Sequence, residues 1–247
     1  MYQSPLGGCM KTKKPPSGFS PKITEDGRLV FRIIFGRRTA DIYTMHQDVK
    51  QELNPVTKFT NQFDCVKWHL VRRTRFFWKV DLKKAFDHVT FKSVASLQDL
   101  PSDIRHCPQF FFHTHGGLIQ GAPASPKIFQ LFCQQRLDPE IKNFCKRNDI
   151  VYTRFADDLL FSSRNEIGKS AREKIRVIIR EAGFHINEKK ISLADTHHTT
   201  IVYLGMEIFQ GKVSPEKEFL EKLSLAPNGS IKTGMRGWMK SVLALNR

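Results

Sequence analysis

The amino-acid sequence predicts an α+β fold in which an antiparallel sheet has helices packed on one face. Two observations predict the sheet: residues 76–82 form an aromatic and apolar run bounded by charge, and short apolar strands flank Asp157-Asp158 as in a β-hairpin. A third predicts the helices: apolar residues recur with helical spacing after Ser125 and across residues 167–182. There is no internal repeat.

The first half of the chain begins with residues 1–21, which are rich in Gly, Pro, Ser and Lys and are expected to form a loose arm. A β-prone run covers residues 27–35, and a helix is expected over 41–53, ended by Asn54-Pro55. The strand at 76–82 leads into a turn at Asp81, and a short helix is expected around residues 89–97.

The second half alternates helices with short strands. Ser125 is the expected N-cap, and Pro126 the first residue, of a helix that continues through Ile141. The elements that follow are hairpin strands over 150–154 and 159–163, an amphipathic helix over 167–182, and a strand pair over 200–209.

The charge balance indicates a polyanionic partner. The 247 residues include 40 Lys and Arg against 24 Asp and Glu, a net charge of +16. Residues 1–75 hold 14 basic and 6 acidic side chains, a net of +8, which is half of the excess. Such a charge suits DNA or RNA and is hard to explain for an enzyme of small neutral metabolites. An anionic membrane surface is the alternative, but no basic amphipathic helix is paired with a lipid anchor.

The cysteines and the N-terminus predict a cytosolic protein. The five cysteines form no Cys-x-x-Cys pair, which favours free thiols in a reducing compartment; they are Cys9, Cys65, Cys107, Cys133 and Cys145. No charged head followed by an apolar run opens the sequence. Residues 106–126 lack charge, but their prolines, glycines and three histidines exclude a lipid-facing helix.

Three aspartates have the placement that two-metal phosphoryl transfer requires. That chemistry needs carboxylates holding two Mg²⁺ ions about 3.5–4 Å apart, with water and substrate phosphates completing the coordination. Asp81 ends a predicted strand, and Asp157-Asp158 lies at the tip of a predicted hairpin. Alone, this pair also fits an ordinary polar turn. The apolar flanks instead mount the acids on a buried hairpin, where like charges repel unless a cation neutralises them.

Five blocks resemble, in order, the motifs of reverse transcriptases. They are Val80-Asp81-Leu82-Lys83-Lys84-Ala85-Phe86-Asp87; Gln120-Gly121-Ala122-Pro123-Ala124-Ser125-Pro126; Phe155-Ala156-Asp157-Asp158; the Gly183 turn with the late lysines Lys189 and Lys190; and Tyr203-Leu204-Gly205. Together they cover roughly residues 59–209. The amino-acid sequences of the second and third blocks most resemble those of bacterial retron and group II intron-like enzymes. A diversity-generating enzyme usually has Gln at the position of Pro126.

The resemblance implies a metal site. Asp81, Asp157 and Asp158 would hold two Mg²⁺ ions, with the Leu82 carbonyl as an extra oxygen ligand and Mn²⁺ as a substitute ion. Asp157 would be the more essential residue of the pair.

The resemblance also implies a nucleotide site. Phe86 would lie under the sugar and exclude a 2′-OH, although it also fits an ordinary core phenylalanine. The amides of Lys84 and Ala85 would bind triphosphate oxygens. Gln120 would contact the nucleotide or the templating base, and Gly121 would allow the template to approach closely. A plain loop before a helix is the alternative for that block.

Lys189 is the candidate lysine for the leaving pyrophosphate. Lys190 is adjacent to it, and a solvated lysine pair is the alternative.

The implied fold is that of a right-hand polymerase. Its expected parts are a flexible arm (1–21), fingers (22–75), a palm with part of the fingers (76–209) and a partial thumb (210–247). Tyr203, Leu204 and Gly205 would form the primer grip.

Three departures from the family pattern are visible. Ile119 replaces the usual Pro, and no Arg occupies the usual triphosphate-binding position; the nearby substitutes are Arg37, Arg38, Arg72 and Arg73. The end after Ser214 is short for a three-helix thumb. We therefore expect low processivity, a truncated form, or completion of the cleft by bound RNA or a protein partner.

Three hypotheses follow for function. The first is an RNA-templated DNA polymerase whose partners are an RNA template, a DNA or RNA primer, and dNTPs. A dedicated structured RNA is one form that the template can take. The second is a binding protein that retains the fold to hold structured RNA. The third is an untemplated or protein-primed nucleotidyl transferase of a phage-defence system.

Overall fold

The computed structural model describes residues 19–23, 29–33, 37–113, 116–224 and 229–246. Residues 1–18 of the expected arm lie outside these ranges. Arg37 and Arg38 are described by their backbone alone, so their expected role lies outside the described side chains. Residues 19–21 belong to a strand and not to an arm. Within the described ranges, every helix is too short or too polar to span a lipid bilayer.

The described chain alternates short strands with helices throughout. The elements up to the middle of the chain are β1 (Phe19–Ile23), β2 (Leu29–Ile33), α1 (Arg37–Glu52), α2 (Gln62–Val71), β3 (Phe76–Asp81), α3 (Ala85–His88), α4 (Phe91–Val94), α5 (Ser102–His106), α6 (Ser125–Arg136) and α7 (Asp138–Arg147). The elements after the middle are β4 (Val151–Phe155), β5 (Asp158–Ser163), α8 (Lys169–Glu181), β6 (Ser192–Asp195), β7 (Ile201–Tyr203), β8 (Met206–Phe209), β9 (Lys212–Pro215), α9 (Lys217–Ser224) and α10 (Gly229–Ala244).

The chain divides into two compact units. Unit 1 comprises Met1–Lys58, Lys84–Pro139 and Ala182–Phe184, and unit 2 comprises Phe59–Lys83, Glu140–Glu181 and His185–Arg247. The expected domain boundaries differ from this division. Residues 59–75 were expected in the fingers but fold with the palm sheet in unit 2, because α2 packs against β4.

Unit 1 contains the β1–β2 hairpin and helices α1 and α3–α6. The two strands pair antiparallel, with Phe19 opposite Ile33. Aromatic rings pack its interior: Phe129 stacks on Phe86 at 4.8 Å between ring centroids and meets Phe184 edge-on at 5.9 Å. Burial of such rings stabilises the unit.

The larger sheet of unit 2 has the strand order β4-β5-β3-β6, and all its pairings are antiparallel. Because side chains alternate along a strand, Phe77 and Trp78 lie on opposite faces. His69 of α2 packs on Phe77 at 5.7 Å, and Arg176 of α8 lies 5.9 Å from the Trp78 ring centroid. Helices therefore cover both faces, where the sequence had predicted one.

The smaller sheet of unit 2 has the order β7-β8-β9. Its buried residues share one core with α2 and with the Phe77 face of the larger sheet; Tyr203, Met206 and Val242 are all fully buried there. β9 pairs with β8, so the expected palm–thumb boundary between residues 209 and 210 falls inside this sheet.

Several local predictions need correction. Ser125 does not cap α6: the helix begins at Ser125, Ala124 is the N-cap, and Pro126 is the second residue. The Ser125 hydroxyl instead donates to the Ile119 carbonyl at 2.6 Å, which explains why it is buried. The single helix expected through Ile141 is two helices, α6 and α7, separated at Leu137. α2, β6 and β9 had not been predicted, and the expected helix at 89–97 covers only Phe91–Val94.

Candidate functional site

Asp81 and Asp158 lie directly opposite each other on neighbouring strands of unit 2. Asp81 ends β3, Asp158 begins β5, and the two are register partners. The Leu82 N–H donates to the Asp157 carbonyl at 2.9 Å, which makes the 81–158 pair a non-hydrogen-bonded pair. Such pairs have Cα atoms about 4.5 Å apart and bring their side chains closest. The backbone therefore places two carboxylates side by side.

Asp157 occupies the two-residue connection between β4 and β5. Its neighbour Ala156 has φ +51, a left-handed conformation that is uncommon for residues other than glycine. The Arg154 guanidinium donates to the Ala156 carbonyl at 3.0 Å and so supports this turn. The acidic hairpin tip predicted from the sequence is present, with Asp157 in the turn and Asp158 as the first strand residue.

Burial and like charge act against ionisation of Asp158. Burial is the larger cause and the Asp157 carboxylate the next, and together with Asp81 they raise the pKa of Asp158 to about 6. Lys79 and Lys190 act in the opposite direction. A carboxylate in these surroundings gains more from a bound cation than an exposed one does.

Two residues that the sequence analysis did not assign to the metal site contact Asp81. The Asn187 side-chain amide donates to Asp81 Oδ1 at 3.1 Å, and the Lys190 ammonium donates to Oδ2 at 3.1 Å. The backbone N–H of Asn187 also donates to the Asp81 carbonyl at 2.8 Å. Lys189, the candidate lysine for the leaving pyrophosphate, lies in the same 3-10 turn (Glu188–Lys190) and is exposed. The sequence could not show which of the two adjacent lysines lies near Asp81, because a shift of the turn by one residue exchanges the directions of their side chains.

The donors fit Mg²⁺ completed by substrate oxygens and do not form a complete protein cage. In the described part of the chain, no three His, Cys, Asp or Glu side chains are arranged to hold an ion by themselves. Mg²⁺ sites at phosphates commonly use one or two carboxylates plus substrate and water. The Leu82 N–H donates to the Asp157 carbonyl, so Leu82 lies beside the hairpin turn. Asp81 and Asp158, with Asp157 in the adjoining turn, are the candidate carboxylates for such a site.

A closed hydrogen-bond network behind the hairpin holds β4 and β5 to α2. His69 is fully buried and contacts the Thr153 hydroxyl at 2.9 Å through Nε2 and the Ser162 hydroxyl at 2.5 Å through Nδ1. Ser162 donates to Thr74 Oγ1 at 2.7 Å, and Thr74 donates to the His69 carbonyl at 3.0 Å. This chain of donors requires His69 Nδ1 to carry the proton. Burial lowers the pKa of His69 to about 3, consistent with a neutral ring.

The candidate primer grip contacts the β4–β5 hairpin through Tyr203. Tyr203 is fully buried at the end of β7, and its hydroxyl donates to the Asp158 carbonyl at 3.2 Å. Leu204 and Gly205 form the β7–β8 turn, with φ of +53 and +76. Leu204 and Gly205 are therefore partly accessible, whereas the Tyr203 ring is not.

The candidate nucleotide residues Lys84, Ala85, Phe86, Gln120 and Gly121 all belong to unit 1. Lys84 is left-handed at φ +49 and precedes α3, which begins at Ala85. The Phe86 ring is half-buried and its carbonyl accepts from the Leu118 N–H at 2.9 Å. The Gln120 side chain donates to Asp87 Oδ1 at 3.4 Å, and Gly121 has φ +89. Unit 1 thus brings the first and second sequence blocks into direct contact.

Gly117 is a residue whose role the sequence analysis missed. A Cβ at this position would lie 2.5 Å from the Asp87 Cα and 2.8 Å from its carbonyl oxygen. Only glycine allows residue 117 to approach the Asp87 backbone of α3 so closely. The glycine in Gly116-Gly117 was the available signal, but a loop glycine does not reveal which backbone it faces.

Comparison with known proteins gives a consistent result. The profile of the family described as "Reverse transcriptase (RNA-dependent DNA polymerase)" matches residues 22–208. The Retron Ec83 reverse transcriptase of Escherichia coli is 31% identical over 188 residues, which cover 68% of this chain and 59% of that protein. The Retron Ec86 reverse transcriptase of Escherichia coli is 31% identical over 137 residues, 52% of this chain and 42% of that protein.

The chain spans about half the length of these two curated relatives. Among solved structures, a Candida tropicalis apo telomerase truncated from its C-terminal domain matches with a TM-score of 0.52 and 13% identity, over 80% of this chain and 54% of that one. This likeness supports the fold alone.

Proposed function

The chain belongs to the reverse transcriptase family, and from this premise we propose that it is an RNA-templated DNA polymerase. In this proposal it transfers nucleotides from dNTPs to a primer 3′-OH. The single observation that supports it most is the direct opposition of Asp81 and Asp158, with Asp157 in the adjoining turn. Repulsion between the carboxylates makes this arrangement unfavourable unless cations neutralise it. A polymerase site binds such cations together with the phosphates of the incoming nucleotide.

The proposed metal site assigns two Mg²⁺ ions, or Mn²⁺ in their place, to Asp81, Asp157, Asp158 and the Leu82 carbonyl. When bound, such ions lower the pKa of the attacking hydroxyl and stabilise charge on the transferring phosphoryl group. Lys190 already neutralises part of the Asp81 charge at 3.1 Å. Lys189 or Lys190 would stabilise the leaving pyrophosphate as a cation.

The proposed nucleotide site uses residues of unit 1. The half-buried Phe86 ring is held by stacking on Phe129, so it would present a fixed surface to the sugar and leave no room for a 2′-OH. The amides of Lys84 and Ala85 would bind triphosphate oxygens, since Lys84 and Ala85 form a turn that precedes a helix. Gln120 and Gly121 would contact the nucleotide or template, and Leu204-Gly205 the primer.

Primer extension tests the proposal. The purified protein is incubated with a primed RNA template, dNTPs and Mg²⁺, beside an Asp157→Ala/Asp158→Ala variant. A Glu140→Ala/Glu173→Ala variant is the matched control, because it removes two exposed carboxylates from helices of the same unit. We expect templated extension by the parent and the control, and a loss of at least about 1000-fold in the catalytic variant.

Other outcomes have definite meanings. Extension by the catalytic variant at the parent rate would refute the metal assignment. RNA binding without any extension would identify a binding protein, and product that ignores the template sequence would identify an untemplated transferase.

A further inference from the structure

The outward side of α2 presents an exposed tryptophan. Trp68 is 56% exposed and Val71 is 65% exposed, although the opposite side of the same helix is fully buried at Cys65, Val66 and His69. An i,i+3 pair lies on one side of a helix, so Trp68 and Val71 are neighbours. The other two tryptophans differ: Trp78 is fully buried, and Trp238 is half-buried against Phe63.

Three exposed arginines lie at the C-terminal end of the same helix. Arg72 follows Trp68 by one helical turn, and Arg73 follows Arg72; both are exposed. Arg164, from the segment after β5, donates to the Arg72 carbonyl at 3.3 Å, which brings a third exposed guanidinium to the end of α2. We call the surface formed by Trp68, Val71, Arg72, Arg73 and Arg164 the α2 outer face.

Acidic residues contribute little at this surface. Asp64 lies one turn before Trp68, where its carboxylate accepts a hydrogen bond from the Asn61 amide at 2.6 Å. Lys67 is exposed beside Trp68 and opposes the Asp64 charge. The α2 outer face is therefore strongly positive around an accessible aromatic ring, which is unsuitable for a basic or purely apolar partner.

We propose that the α2 outer face binds single-stranded nucleic acid, with one base stacked on Trp68 and backbone phosphates on Arg72, Arg73 and Arg164. Stacking on aromatic rings between basic side chains is the usual chemistry of single-strand binding. The inference rests on the proposed function for the class of partner. It adds a contact on the side of α2 opposite the His69 network, separate from the three aspartates.

Tryptophan fluorescence tests the proposal directly. In a Trp238→Phe background, Trp68 is the exposed fluorophore and Trp78 is buried. The probes are unprimed oligo(U) and oligo(dT) of about 12 nucleotides, within the usual site size, added in EDTA so that metal-dependent binding does not contribute. We expect saturable quenching, and fluorescence anisotropy of labelled probe should show roughly 5- to 150-fold weaker binding for Trp68→Ala. Trp68→Phe should bind within a few fold of the parent.

The arginines are tested through salt dependence. Each phosphate contact to a single strand contributes about −0.7 to the slope of log K against log salt. Arg72→Gln/Arg73→Gln should therefore lower the magnitude of that slope by about 1.4. Lys146→Gln/Arg147→Gln, an exposed adjacent basic pair on α7, makes the same charge change and should leave the slope nearly unchanged.

Two results would overturn the proposal. In the first, Trp68→Ala binds as tightly as the parent, and the two charge variants change the slope of log K against log salt equally. That result would indicate general electrostatic attraction. The other is absence of quenching together with a smaller oligomer for Trp68→Ala in size-exclusion chromatography, which would indicate a protein contact.

The Asp157→Asn/Asp158→Asn variant separates this inference from the proposed polymerase activity. Quenching should persist in that variant. Quenching in a protein that never extends a primer would support binding at the α2 outer face and refute the polymerase proposal. Primer extension without quenching would support the polymerase proposal and refute binding at the α2 outer face.

Discussion

At Asp158, the first residue of β5, burial and the neighbouring carboxylates both act against ionisation. Its pKa is raised to about 6 from the ordinary carboxyl value. The stability that Asp158 contributes is therefore full below about pH 4 and is lost as the pH rises through 6. At pH 8 without divalent ions, this shift corresponds to a cost of about 3 kcal/mol.

Asp158→Asn should therefore stabilise the ion-free protein. At pH 8 in EDTA we expect its Tm to rise by roughly 3–10 °C, and the difference should shrink near pH 4. Adding Mg²⁺ should raise the Tm of the parent more than that of the variant. Differential scanning fluorimetry measures both, with the exposed Asp48→Asn as the control. An unchanged Tm at pH 8 would show that Asp158 is not under this repulsion.

In the proposed function, Phe86 lies under the sugar of the incoming nucleotide. Phe86→Val should admit ribonucleotides, because removing the ring opens space at the 2′ position. We expect the ratio of kcat/KM for dNTP over rNTP to fall by at least about tenfold, measured by single-nucleotide extension. Phe91→Val is the control, since Phe91 is also a half-buried ring, 5.9 Å from Phe112. An unchanged ratio would place Phe86 among ordinary packing residues.

At the scale of elements, α2 holds the β4–β5 hairpin through a neutral histidine. Because burial lowers the pKa of His69, its contribution to stability is present above about pH 6.5 and is lost as the pH falls towards 3. Protonation would also replace an acceptor by a donor at Nε2, opposite Thr153.

His69→Gln should lower stability by about 1–3 kcal/mol at pH 7, because buried hydroxyls lose a partner. The fall in Tm between pH 7 and pH 5 should become shallower in the variant, which lacks the titrating ring. Thermal unfolding across that pH range measures both effects, with the exposed His198→Gln as the control. An equally steep pH dependence in the variant would assign it to other groups, such as the buried His46.

The elements show which features could be predicted from sequence. The β4–β5 hairpin and β3 were predicted because each combines an alternating or continuous apolar run with acids at its end. α2 was missed because its inner face contains Cys65 and His69, which do not form an apolar stripe. β6 was missed because Ser192–Asp195 is short and partly polar, and only its pairing with β3 makes it a strand.

The candidate site could be predicted from sequence only to the extent that it depends on residue identity. The three aspartates follow from their spacing and flanks, whereas Asn187 and Lys190 depend on a turn that bends back to Asp81 after 106 and 109 residues. Gly117 is similar, because its requirement arises from the backbone at Asp87. Long-range approach of this kind leaves no local pattern in the sequence.

At the scale of the whole molecule, the net charge of +16 predicts strongly salt-dependent nucleic-acid binding. For single-stranded RNA we expect a slope of log K against log salt of about −3 or steeper. Affinity would then fall by roughly 60-fold between 50 and 200 mM salt. Anisotropy titrations with the Asp157→Ala/Asp158→Ala variant avoid turnover. A slope near zero would mean that the excess charge lies away from the nucleic acid.

The Tyr203–Asp158 hydrogen bond has a mechanical consequence. It joins the strand before the Leu204-Gly205 turn to the first residue of β5, within one unit and one shared core. A primer end held at that turn would keep a constant separation from the carboxylates, whichever nucleotide is being added. Tyr203→Phe would loosen that spacing, because it removes the hydrogen bond to Asp158 while leaving the turn residues and the three carboxylates in place.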